Sequence, residues 1–173
     1  MIQNDISKKI IIALDYDTKE SVINLCDQLD PSYCRIKVGK QLFTKLGPSI
    51  INIIQKKNFE IFLDLKFHDI PITVYKACIE AYKLGIWMLN VHLLGGEEMI
   101  KAAKEARDKQ NPSALIIGVS LLTSHSDESL EYLGLKNRIN TVKNLATLAE
   151  KCSIDGIVCS PSDISTVKDS VSN

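Results

Sequence analysis

LDLKFHDIP, residues 63–71, is the stretch that decides how this chain is built. It opens as an apolar run of strand type and closes on Pro71, a residue suited to the first turn of a helix. Between them stand Asp64, Lys66 and Asp69. Asp64 and Lys66 are two apart, so on a strand their side chains share a face. Charges at the end of an apolar strand are costly to bury unless they pair with each other or with a ligand. A structural ion pair would account for Asp-x-Lys alone. It accounts less well for a third charge at Asp69, and for Lys37 at the end of the preceding apolar run, RIKVG. Two lysines and two aspartates converging on one mouth point to a functional site.

Outward from this stretch the chain repeats one pattern. Strand-like runs lie at Lys9–Leu14, Arg35–Val38, Ile61–Leu65, Met88–His92, Leu115–Val119 and Gly156–Cys159. Each is nearly continuous in apolar residues, as parallel strands covered on both faces are. Amphipathic helices are expected between them, at Thr18–Leu29, Pro48–Lys56, Pro71–Leu84, Glu97–Lys109, Thr141–Lys151 and Ser162–Asp169. Strict alternation implies a parallel sheet with right-handed crossovers. Polar residues recur at or just beyond successive strand ends: Asp15, Lys37, Asp64 with Lys66, His92, the Ser120–Thr123 segment and Ser160. A (β/α) barrel gathers all such ends around one mouth, whereas a doubly wound sheet uses mainly its switch point, commonly with a Gly-rich first turn. The first turn here is LDYDTK, without glycine. The fold expected is therefore α/β, a TIM (β/α)8 barrel of which about six βα units are present. Residues 1–173 form a single barrel domain, expected to be C-terminally incomplete.

The bulk properties narrow the function. The 173 residues carry 21 basic and 21 acidic side chains, and no basic stripe suggests nucleic-acid binding. An anionic substrate must be caught by local groups. No run approaches the ~18 apolar residues of a membrane span, and no secretory leader is visible in MIQNDISKK. The five cysteines show no metal-ligand spacing and read as buried, reduced thiols of a cytoplasmic protein. No two histidines have metal-ligand spacing either, so no metal is expected.

The motifs resemble those of the orotidine 5′-phosphate decarboxylase family. The likeness runs through IIALDY (11–16), RIKVGKQLF (35–43), GPSI (47–50), FLDLKFHDIPITV (62–74), NVHLLGG (90–96), VSLLTS (119–124) and DGIVCS (155–160). Asp-x-Lys-x-x-Asp alone also occurs in sister enzymes acting on sugar phosphates; the longer Asp-x-Lys-x-His-Asp-Ile-Pro-x-Thr-Val form points to the nucleotide decarboxylase. The resemblance implies a cofactor-free lyase that converts orotidine 5′-phosphate to UMP in pyrimidine synthesis. It also implies roles for individual residues. Asp15 contacts the nucleotide, and Lys37, Asp64, Lys66 and Asp69 form a charged network beside the reacting carbon. Lys66 stabilises the carbanion and donates the proton. Asp69, Ile70 and Thr73 cross a dimer interface into the partner's site, and Thr123 lies by the pyrimidine. His68 and His92 are expected to be structural, His125 solvated, and Gly95–Gly96 to start a helix.

Family members continue with two further units that grip the substrate phosphate. The resemblance thus implies that a polypeptide of residues 1–173 alone is inactive or nearly so, and belongs to a longer protein. Two alternatives stay open. One is a ketose-phosphate decarboxylase or aldolase using the same acidic and basic core with magnesium; the other is a non-catalytic barrel remnant.

Overall fold

In the computed structural model, residues 8–135 and 137–172 are described. Strands β1 (Ile10–Leu14), β2 (Cys34–Gly39), β3 (Ile61–Phe67), β4 (Met88–His92), β5 (Leu115–Val119) and β6 (Gly156–Val158) lie side by side in chain order. All are parallel, and together they form a curled half-barrel whose connecting helices cover the outside. The helices are α1 (Lys19–Gln28), α2 (Lys40–Leu46), α3 (Ser49–Gln55), α4 (Pro71–Lys83), α5 (Gly96–Gln110), α6 (Asp127–Tyr132), α7 (Arg138–Lys151) and α8 (Ile164–Lys168). β1 and β6 are the edge strands of this sheet.

Strand register sorts the side chains into two faces. Lys37 is in register with Phe62, Phe62 with Met88, and Met88 with Leu115. Side chains two residues further along each strand share that face, which brings Asp64, Asn90 and Ile117 one layer up. Phe62 and Met88, beneath the polar layer, pack together with Ile117 as an apolar cluster. The alternate residues, including Ile36, Val38, Leu63, Leu89, Val91 and Ile116, are buried in a second, larger core against the helices. At the opposite end of the strands, buried Arg107 donates to Ala114 O (3.0 Å) and Asp155 Oδ2 (2.7 Å), and that carboxylate also accepts from Ile116 N (2.8 Å). This ties α5, β5 and β6 together.

Most elements fall where the apolar runs place them, and β4 and β5 keep the expected bounds. α1 is capped as expected, Thr18 Oγ1 accepting from Ser21 N at 3.1 Å. α2 and α6 lie in stretches where no helix is expected from the sequence. Both are short, and α6 stands in the polar SHSDESLEY run, where Ser126 Oγ caps it by accepting from Ser129 N at 3.1 Å. Cys26, Cys34, Cys78 and Cys152 are buried free thiols; Cys159, expected to be buried as well, is half-buried because β6 is an edge. Burial pushes the Cys78 thiol up to about 12, which leaves it unreactive. No helix among the described residues is long and apolar enough to cross a membrane.

Gly118 on β5 is required by a close approach. A Cβ there would lie 2.6 Å from Leu93 Cγ and 3.0 Å from Ile154 Cδ1. Gly118→Ala should therefore overpack the core by about 1–3 kcal/mol and lower the melting temperature by several degrees. An unchanged melting temperature would show that Leu93 moves aside without cost.

Candidate functional site

The polar layer of the inner face sits at the C-terminal ends of β2, β3 and β4. Asp64 is its centre and is 9% exposed. Its Oδ1 accepts from Lys66 Nζ at 2.6 Å and from Asn90 Nδ2 at 2.7 Å. Its Oδ2 faces Lys37 Nζ at 3.3 Å. Burial pushes the Asp64 carboxyl up, but hydrogen bonds from Lys66 and Asn90 and the charges of Lys66 and Lys37 more than reverse this. The carboxyl is thus held below the usual carboxylate range. The result is one anion with a lysine on either side, open toward the mouth.

Two residues apart on a plain strand would be enough to bring Asp64 and Lys66 to one face, but the backbone does something further. Leu63 is in register with Leu89 and Phe67 with Val91, so three residues of β3 oppose one residue of β4. This bulge carries Lys66 into the left-handed region at φ 52. Left-handed backbone is uncommon for a lysine and costs of order 1 kcal/mol or more, and such strain collects at functional sites. The Lys66 N–H donates to the side chain of Asn90, at 2.8 Å from Oδ1. Asn90 is missing from the residues singled out in the sequence. The signal available was an asparagine interrupting the apolar run MLNVH.

The other expected site residues are less closely gathered. Asp15 is exposed just beyond β1; it lies two residues after Ala13, which pairs with Lys37, so it shares the inner face. Asp69 is exposed, and its Oδ1 accepts from its own Ile70 N at 2.6 Å. Among the described residues it forms no ion pair with either lysine of the array. Ile70 and Thr73, at the start of α4, are exposed, and so is Thr123 in the loop after β5. Ser160 donates to Asp163 Oδ2 at 2.7 Å. Arg138 holds the same carboxylate at both oxygens, at 3.2 and 2.9 Å, fastening α7 to the turn after β6.

The histidines depart from expectation in detail. His68 is exposed, with its ring centroid 5.3 Å from that of His92. His125 is half-buried rather than solvated, its Nδ1 2.9 Å from Ser129 Oγ. His92 Nδ1 is buried without a hydrogen-bond partner among the described residues. Burial first, then the nearby His68, Lys40, Lys66 and His125, push His92 down from 6.5 to about 4. Between those two values the unfolded chain takes up a proton that the folded one refuses, so stability falls as pH drops from 6.5 toward 4. One proton sets a ceiling of about 1.4 kcal/mol per pH unit, reduced here by partial exposure. Melting curves of His92→Gln should lose this slope; a slope identical to the parent's would exclude His92 as its source.

Residues 8–172 match the model of the orotidine 5′-phosphate decarboxylase / HUMPS family. The chain is 51% identical to the orotidine 5′-phosphate decarboxylase of Saccharophagus degradans over 164 residues, covering 94% of this chain and 69% of that protein. With the enzyme of the same name from Nitrosospira multiformis the identity is 48% over 164 residues, covering 94% and 68%. The crystal structure of the orotidine 5′-phosphate decarboxylase of Lactobacillus acidophilus superposes with a TM-score of 0.89 at 34% identity, covering 96% of this chain and 78% of that one.

Proposed function

The chain belongs to the orotidine 5′-phosphate decarboxylase / HUMPS family, and on that premise we propose that its Lys37–Asp64–Lys66 array carries out the decarboxylation of orotidine 5′-phosphate to UMP. The activity is that of a carboxy-lyase of de novo pyrimidine synthesis. The observation that supports the array's part in it is the pair of lysines converging on one buried carboxylate at the strand ends. In the reaction the bond between ring carbon C6 and the carboxylate breaks, CO₂ departs, and the electron pair stays on C6. In this reading the Lys66 ammonium stabilises that charge and then passes one proton to C6, after which water reprotonates the amine. Asp64 holds Lys66 in place through the 2.6 Å bond, and Lys37 balances its second oxygen. Neither step calls for a cofactor. Asp15 and Thr123, at neighbouring strand ends, are assigned to the ribose and the pyrimidine.

Asp69, Ile70 and Thr73 are assigned to the site of a partner protomer. Ile70 and Ile72 are 63% and 55% exposed beside Asp69, which supports burial of this edge in a homodimer. Residues 1–173 are taken as one barrel domain, and the setting as cytoplasmic.

The test is to follow ultraviolet absorbance with orotidine 5′-phosphate, with and without EDTA, in the protein expressed from its full reading frame. Turnover indifferent to EDTA is expected. EDTA-sensitive turnover of a ketose phosphate, with none of the nucleotide, would overturn the reading in favour of the sugar-phosphate chemistry of sister enzymes.

A further inference from the structure

The geometry points to Asn90 as a positioning residue that sets Asp64 and Lys66 together for this chemistry, an inference that rests on the decarboxylase reading. Three observations converge on it. Asn90 is the single β4 residue facing the bulge of β3, between the Leu63–Leu89 and Phe67–Val91 pairs. It is 1% exposed, so both ends of its amide need partners. Both have them: Oδ1 accepts from the Lys66 backbone N–H at 2.8 Å, and Nδ2 donates to Asp64 Oδ1 at 2.7 Å. The reverse amide orientation would set oxygen against carboxylate and NH₂ against N–H, so the two contacts fix it.

The consequence lies in what these contacts replace. The bulge takes the Lys66 N–H out of the ordinary ladder, and Asn90 Oδ1 accepts it instead. That bond holds a lysine at φ 52, a conformation with little intrinsic preference. The other end of the amide fixes the oxygen of Asp64 that also accepts from Lys66 Nζ. One side chain thus sets the backbone from which Lys66 starts and the carboxylate on which it ends. A merely structural asparagine would fill space and satisfy itself. This one links both members of the pair, and its loss should change the chemistry more than the binding.

Asn90→Asp separates these possibilities, because it keeps the shape. Protonated, the introduced carboxyl can donate to Asp64 as the amide does; ionised, it sets carboxylate against carboxylate. The titratable and charged groups facing this point are Lys37 from β2 and Asp64 and Lys66 from β3, with His92 two residues along β4 on the same face and itself beside His68, Lys40, Lys66 and His125. In Asn90→Asp, kcat should fall as pH rises along a one-proton limb that the parent lacks, with its midpoint above the ordinary carboxylate range and KM within about threefold. Asn90→Ala should lose about 10²-fold in kcat at all pH values, again with little change in KM. Carbon-13 NMR of the Asp64 carboxyl gives a second readout independent of turnover: its titration, held below the ordinary carboxylate range in the parent, should move upward in Asn90→Ala as the amide hydrogen bond is lost.

An Asn90→Asp pH profile parallel to the parent's, or an Asp64 titration unmoved in Asn90→Ala, would overturn the inference. Should Asn90→Asp fail to fold, the Asn90→Ala titration decides. A parent that does not decarboxylate while Asp64 still shifts would remove the decarboxylase reading and leave the clamp standing.

Discussion

Lys66→Ala, in the protein expressed from its full reading frame, should lower kcat on orotidine 5′-phosphate by at least ~10⁴-fold, with UMP affinity within a few-fold of the parent's. The expectation follows from two duties falling on one ammonium. Stabilising charge that develops in the transition state is worth roughly 10²–10³-fold for one well-placed donor. Proton delivery adds roughly 10²–10⁴-fold. Both act after the substrate is bound, so the loss belongs in kcat and not in binding. Lys66→Arg should not rescue the rate, because a guanidinium keeps its proton and spreads its charge over a broad planar head in place of the compact ammonium. Steady-state kinetics with UMP inhibition checks this. Equal losses of turnover and UMP affinity would mean that Lys66 holds the site together and does no chemistry.

Asp64→Ala carries the second large effect, and it should differ in kind. It removes the acceptor shared by Lys37, Lys66 and Asn90. Two lysines then face each other without an anion, and a buried amide loses a partner. A loss of ~10³-fold in kcat is expected, because Lys66 is no longer aimed. Stability should also fall, by about 1–3 kcal/mol, since groups left unpaired in a partly buried site bear their own desolvation. The pH dependence gives the signature. The folded-state value of Asp64 is lowered from 3.8, so its contribution is fully present above that value and fades as pH falls through the folded one. The gap in melting temperature between parent and Asp64→Ala should therefore be widest near neutrality and close in acid. A gap that is constant with pH would assign the loss to packing instead.

How far the fold could be read in advance depended on whether the signal was local. β4 and β5 are nearly continuous apolar runs, and their bounds come straight from the residues. Thr18 and Pro71 mark their helix starts by chemistry confined to one turn. α2 and α6 were not legible: α2 follows β2 with no break between strand and helix, and α6 stands in a polar run that reads as a loop. Within the site, the Asp64–Lys66 pair could be read from its spacing and the placing of Lys37 from its strand end. The left-handed turn of Lys66 could not, since no glycine advertises it. Nor could the role of Asn90, which exists only through the register of β4 against the β3 bulge. The Arg138–Asp163 clamp joins residues 25 apart and escaped for the same reason.

The most direct test runs the proton transfer backward. In D₂O the protein should exchange the C6 hydrogen of UMP for deuterium, visible as loss of that signal by proton NMR, while Lys66→Ala binds UMP and exchanges nothing. Exchange at the parent's rate in Lys66→Ala would contradict the account, since some other group would then be delivering the proton.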